Sequence, residues 1–262
     1  MKNWDSVIKS ANILDMQRIF IESHQIHENH LTVDDETAHH LFNVCRLTEQ
    51  SFLDVIVNQD RQYHIKILKI QNNTIEFTII DQWSLNNEYS RTISLVQSIP
   101  KQDKFTDICR MCTEVGVAHF FPVVSEFCDI KDLSVNKIKR ATKAIDSAAK
   151  QSKQIRIPEL HPALSLADVL TKNKEHFKSA TCLIADEGTT EKLHTKLKSV
   201  KDHIVLAIGP EGGFSHIDRE LLLTAGFVSF SLGKSILRTE HAGFAAINFI
   251  NATIEVLNNN TY

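Results

Sequence analysis

Residues 203–215 read HIVLAIGPEGGFS, an apolar run that breaks into a glycine-rich turn and then a serine. An unbroken apolar run bounded by turn residues fits a strand covered on both faces in a parallel sheet. Ser215, with Asp218 three positions on, opens a helix that Gly226 closes. A strand, a glycine turn and a helix start in this order place the turn at the carboxyl end of a strand, where open α/β sheets bind ligands. Gly209, Gly212 and Gly213 can adopt backbone angles closed to other residues and let a ligand approach the main chain. The pattern is neither GxGxxG nor GxxxxGK[ST], so the dinucleotide and P-loop readings lose their support. Taken alone, three glycines are equally well explained by the turn itself.

Downstream, residues 232–247 (LGKSILRTEHAGFAAI) repeat the arrangement of strand end, loop and helix start. Thr239 suits a helix cap, and Glu240 suits the positive end of the helix dipole. Arg238 does not, because the same dipole disfavours a cation there, so an anionic or electron-rich ligand is the reason to expect it. Upstream, strands alternate with helices from Arg91 onward. TISLVQS precedes a helix capped by Asp103 with Phe105, Ile108, Cys109, Cys112 and Val115 on one stripe and Gly116 as its stop. VAHFFPVV, a basic helix from Asn136, TCLIAD, FVSFSL and a final helix from about Thr239 complete the series. Alternation of this kind predicts a parallel α/β sheet.

Residues 16–85 read differently. RIFIES, FLDVIVN, YHIKILKI and TIEFTII are short strands parted by polar turns, and DETAHHLFNVCRL interrupts them with Ala38, Leu41, Phe42 and Cys45 at helical spacing. These predict a small β-barrel. The polar stretch 81–90 is the expected linker to a second domain, residues 86–262, and residues 1–15 form an extension.

Composition restricts the function classes. No apolar run reaches the roughly 18 residues needed to span a bilayer, and the N-terminus lacks a secretory signal, so a cytoplasmic protein with no membrane partner is expected. Five scattered cysteines predict reduced core residues, and the Cys109/Cys112 pair, without a second ligand pair, predicts no metal. The formal charge of −3 disfavours a nucleic-acid partner, but seven cations between Lys137 and Arg156 against the single acid Asp146 make a local basic run. A solvated helix face explains that run as well as a phosphate site does.

The loops IGPEGGFS and LGKSILRTEHA closely resemble the signature of the RsmE-type 16S rRNA uridine N3-methyltransferases, a branch of the SPOUT superfamily. HHLFNVCRL, DKFTDICRMCTEVGVAHFFPVVSEFC and AAKQSKQIRIPEL resemble further segments of that family, so the likeness runs from Met16 through nearly the whole chain. The sequence departs from the family at Ser235 and Phe127, where arginines are usual, at Cys109 and Arg110, and at Lys150, Lys153 and Gln154. The resemblance implies an N-terminal PUA-like β-barrel and a C-terminal SPOUT α/β domain threaded as a trefoil knot. It also implies S-adenosylmethionine (S-adenosyl-L-methionine, SAM) as cofactor, a homodimer, and 16S rRNA or the small ribosomal subunit as partner. By the same resemblance SAM contacts Leu183, Ile208, Gly209, Pro210, Glu211, Gly212, Gly213, Leu232, Gly233, Ser235, Ile236, Leu237 and Arg238.

Methylation at uridine N3 requires removal of the imino proton before nitrogen attacks the sulfonium methyl, and it needs no metal. Arg238 is the candidate to stabilise the developing anion, and Glu211 or Glu240 the candidate proton acceptor, although each acid also has a structural explanation. The expected RNA contacts are Arg46, Arg110, Lys139, Arg140, Lys143, Lys150, Lys153 and Arg156. A ribose 2′-O-methyltransferase is the rival within the fold, but those enzymes carry an N-G-x-x-x-R element and an S-L-N motif in the last loop, and neither stands in its place here. A non-catalytic RNA-binding assembly protein is the rival outside catalysis, and the intact glycine loops disfavour it.

Overall fold

A computed structural model describes residues 16–84, 91–197 and 200–259. The expected N-terminal extension and the second half of the expected linker lie outside the described residues. The chain divides into two compact units, one of residues 1–89 with 150–155 and one of residues 90–149 with 156–262.

The first unit holds a six-stranded sheet of β1 (Arg18–Ile21), β2 (Ile26–His27), β3 (His30–Thr32), β4 (Phe52–Val57), β5 (Arg61–Gln71) and β6 (Thr74–Ser84), in the order β1-β4-β5-β6-β3-β2. β1 runs parallel to β4 and the remaining pairs are antiparallel. Asp81 to Ser84, read as linker, instead extend β6 and pair with β5. Helix α1 (Asp35–His39) passes into a π-helical turn, His40–Val44, so only Ala38 and Leu41 of the expected stripe are fully buried, while Phe42 and Cys45 sit at the margin. The altered periodicity of the π turn explains the difference.

A buried ion triad anchors β1. Arg18 Nη2 donates to Asp54 Oδ2 at 3.0 Å, and His64 Nδ1 lies 3.2 Å from Asp54 Oδ1. Arg18 Nη1 also donates to the carbonyls of Lys153 and Gln154. Burial works to raise the Asp54 pKa, but the His64 and Arg18 hydrogen bonds and charges outweigh it and hold the carboxyl below its ordinary value. Segment 150–155, expected in the second domain, therefore belongs to the first unit, with Ile155 packed on Ile56 and Phe20.

The second unit is a seven-stranded parallel sheet flanked by helices. Its elements in chain order are β7 (Thr92–Ser98), α2 (Lys104–Glu114), β8 (Val117–Val124), α3 (Val135–Gln151), β9 (Glu159–Leu160), β10 (Leu164–Ser165), α4 (Leu166–Lys172) and α5 (Lys174–Lys178). They continue with β11 (Thr181–Ala185), α6 (Leu193–Lys196), β12 (His203–Ile208), α7 (His216–Thr224), β13 (Val228–Phe230) and α8 (Thr239–Asn259). The strand order is β10-β8-β7-β12-β11-β13, with β9 paired to β8. The apolar run of β12 is explained by its central position. Ile204, Leu206 and Ile208 face the core that holds α2 and α8, while Val205 and Ala207 face the core that holds α4 and α7.

Helix signals mostly act as the sequence predicts. Ser215 accepts from the Asp218 amide in a full capping box, and Gly116 and Gly226 take φ of +92° and +90° at helix ends. Asp103 departs from this, since it makes no side-chain cap and its carboxylate instead receives the Arg140 guanidinium at 3.0 Å. Cys109, Cys112, Cys128 and Cys182 are buried free thiols, and burial pushes Cys112 up to about 12. No helix among the described residues is long and apolar enough to cross a membrane.

Candidate cofactor and RNA site

Three neighbouring strands, β12, β11 and β13, release their chains at one edge of the sheet. The turns that follow them line a cavity of about 570 Å³, within the range of pockets for ligands of cofactor size. Its wall takes in Ala185 to Glu187 after β11, Ile208 to Glu211 with Gly213 and Phe214 after β12, and Ser231 to Thr239 after β13. Lys104 at the start of α2, Arg219 of α7 and Ala242 of α8 complete it.

The two glycine loops are tied together by a buried polar chain. Thr239 Oγ1 donates to the Gly209 carbonyl at 2.7 Å and accepts from Gln97 Nε2 at 3.1 Å. Thr239 was expected as a helix cap, but it is the first residue of α8 and its hydroxyl is spent on this link between loops.

The glycines have distinct roles. A Cβ on Gly209 would fall 3.0 Å from the backbone of Gly213 and Phe214, so any side chain there displaces the loop. Gly213 and Gly233 have φ of +71° and +123°, left-handed conformations that disfavour other residues. Gly212, expected as a cofactor contact, does not line the cavity; its Cα faces the Phe127 ring, which an added Cβ would meet at an ordinary 3.6 Å. Leu183, also expected there, lies fully buried in the core among α2 and α8 side chains rather than on the wall. The other expected positions, Ile208, Gly209, Pro210, Glu211, Gly213, Leu232, Gly233, Ser235, Ile236, Leu237 and Arg238, come together around the cavity.

We expect Gly209→Ala to weaken SAM binding at least tenfold while the protein stays folded, with Gly212→Ala within about threefold of the parent. Calorimetric titration checks both. Equal affinities for the two variants would show that close packing within the 209–213 loop is irrelevant to the cofactor.

The acids and cations divide the cavity's electrostatics. Lys104 Nζ sits 3.0 Å from Glu240 Oε1 and 3.9 Å from Glu211 Oε1, and Glu211 also accepts from the Lys101 amide at 3.0 Å. Burial works to raise the Glu240 pKa, but a hydrogen bond from its own backbone and the Lys104 ammonium hold it below its ordinary value. Glu240 is thus a weak base clamped behind Lys104 and is not on the cavity wall, which argues against it as the proton acceptor. Glu211 is on the wall. Arg238 is exposed on the wall, and among the described residues its guanidinium meets no carboxylate. Lys104 and the Asp186–Arg219 pair, joined at 2.8 Å, were not anticipated. Lys104 lies in the DKF stretch that the resemblance covers, but a lysine at a helix start carries no signal of its own.

The expected RNA contacts do not form a single set. Lys139, Arg140 and Lys143 lie on α3 in the second unit, Lys150 and Lys153 in the segment grouped with the first, and Arg156 again in the second. Arg140 is bound to Asp103, and Arg110 pairs with Asp107 and Glu114 on its own helix. Pairs this exposed contribute only about 0–1 kcal/mol, so phosphate can displace either one. Arg46, in the first unit, is exposed with φ of +56°.

Residues 87–251 match the family described as the RNA methyltransferase domain, and residues 33–80 match the RNA methyltransferase PUA domain. The ribosomal RNA small subunit methyltransferase E of Rickettsia conorii is 30% identical over 233 residues, covering 88% of this chain and 93% of that one. Its Bacillus subtilis counterpart is 26% identical over 255 residues, covering 92% and 98%. The crystal structure of the Neisseria gonorrhoeae small subunit methyltransferase E bound to S-adenosyl methionine matches with a TM-score of 0.77 at 25% identity, covering 90% of this chain and 97% of that one. Family match, full-length relatives and the two-loop cavity agree, and the chain belongs to the RNA methyltransferase family whose curated members are named ribosomal RNA small subunit methyltransferase E.

Proposed function

We propose that this protein transfers a methyl group from SAM to N3 of a uridine in 16S rRNA, acting as a cytoplasmic homodimer. The observation that carries the reading is the joining of loops 209–213 and 232–238 around one cavity, with the Arg238 guanidinium on its wall meeting no carboxylate among the described residues. The close approach at Gly209 and the left-handed Gly213 and Gly233 make a main-chain cradle suited to that cofactor. When bound, SAM supplies an electrophilic methyl on a sulfonium.

The chain's own residues then prepare the nucleophile. N3 lies on the Watson–Crick edge, so the uridine enters unpaired or flipped out. Arg238 donates to a uracil carbonyl oxygen where negative charge collects as the N3 proton leaves, and this lowers the barrier electrostatically. Glu211, which shares the wall with Glu187 and with Asp186, the latter engaged by Arg219, takes that proton directly or through water. Lys104, 3.0 Å from Glu240 and 3.9 Å from Glu211, sets the local field. The cations Arg46, Arg110, Lys139, Arg140, Lys143, Lys150, Lys153 and Arg156 supply phosphate contacts. Exposed Ile236, Phe249 and Val256 supply apolar surface for the second subunit.

Nucleoside mass spectrometry of 16S rRNA from cells with and without this protein tests the reading. Loss of 3-methyluridine alone is the expected result. Loss of a ribose-methylated nucleoside instead, or no change in a protein that binds SAM, overturns the assignment of N3.

A further inference from the structure

A second constellation lies toward the amino-terminal ends of the strands, at the edge away from the cofactor loops. Period-two alternation puts Glu159 and His161 on one face of the β9 edge, and the parallel register sets His119 of β8 opposite Glu159. His119 Nδ1, His161 Nε2 and Glu159 Oε2 are separated by 3.3, 3.4 and 3.6 Å. Donors about 2.0–2.1 Å from an ion in tetrahedral directions stand about 3.3–3.4 Å apart, whereas adjacent octahedral donors stand about 2.9 Å apart. The triangle has the size of three corners of a tetrahedral site. Nothing in methyl transfer uses these residues, and the sequence reading assigned no metal.

We propose that His119, Glu159 and His161 form a binding site for a divalent ion of the zinc class, with water in the fourth position. Two imidazoles and one carboxylate suit zinc, while magnesium and calcium require six or more oxygen donors or bound waters. The donors are held in place before binding. The His161 ring stacks on buried Phe121 at 4.1 Å with an interplanar angle of 4°, and the His119 ring lies 5.5 Å from that of His161. Glu159 is largely exposed, which gives the ion a path from solvent. His176, whose ring lies 6.0 Å from that of His119, and His203 beyond it border the cluster. The bound ion staples the two-residue edge strand β9 to β8 and raises stability without entering the methyl-transfer chemistry.

The experiment uses the full chain, tag removed and stripped with chelator, titrated calorimetrically with zinc chloride and separately with magnesium chloride. One equivalent of zinc binds at micromolar dissociation constant or tighter, magnesium gives no heat, and zinc raises the melting temperature while SAM affinity is unchanged. A His119→Ala/His161→Ala variant loses at least 30-fold in zinc affinity. Glu159→Gln, at an exposed position that leaves the fold intact, loses about tenfold and decides the matter if the double variant does not fold. Cobalt in place of zinc gives the intense visible bands of four-coordinate geometry. Failure of the parent to bind zinc, or zinc affinity unchanged in the variants, overturns the site. SAM binding by the same samples is independent of either outcome.

Discussion

Arg238→Ala is expected to lower the single-turnover methylation rate by on the order of 100-fold or more while SAM affinity stays within a few-fold. The guanidinium is on the cavity wall and meets no carboxylate among the described residues, so it is available to the substrate. A donor fixed in place before reaction stabilises the uracil anion without reorganisation at the moment of proton loss, which is why the loss falls on rate. Arg238→Lys should recover little, because an ammonium on a flexible stem does not reproduce a planar fork. If rate and SAM affinity fall together, Arg238 orders the loop and does not act on substrate. Unchanged turnover removes it from the mechanism and leaves Glu211 and Lys104 as the groups to test.

Asp54→Ala should destabilise the first unit by about 3–5 kcal/mol, since the buried Arg18 guanidinium loses its carboxylate and the half-buried His64 ring loses the same acceptor. Asp54→Asn keeps an acceptor without the charge and should cost less. The depressed Asp54 pKa gives the effect a pH signature. Between the folded value and the unfolded value of about 3.9 the unfolded chain binds more protons, so stability rises with pH across that window. The contribution is present above about pH 4 and is lost as pH falls through the folded value. Urea titrations at several pH values check this. A midpoint shift below about 1 kcal/mol for Asp54→Ala would mean that the triad is solvated and contributes little.

Much of the fold was legible because local signals agreed with tertiary placement. The strands from Thr92, Val117 and His203 were read from apolar runs that the sheet buries on both faces, and the Ser215 helix start from a capping box that forms as written. Asp103 misled because a capping residue is also a carboxylate, and Arg140, 37 positions away, took it. Asp81 to Ser84 misled because a polar edge of a long hairpin has no apolar alternation to report. Leu183 was expected at the cofactor from the family resemblance alone, and the sheet turns its side chain into the core with α2 and α8, away from the cavity wall.

The sequence by itself pointed to the two fold types and set Arg238 apart as an anomalous cation, because periodicity and helix-dipole placement are local properties, while the cofactor expected at the glycine loops came from the family resemblance. Only the tertiary structure decided that Thr239 bonds Gly209, that Lys104 clamps Glu240 and that segment 150–155 joins the first unit. The same holds for His119 meeting Glu159 and His161, 40 and 42 positions further on. Each depends on chain segments far apart in sequence brought within hydrogen-bond distance, and no local pattern records such a distance.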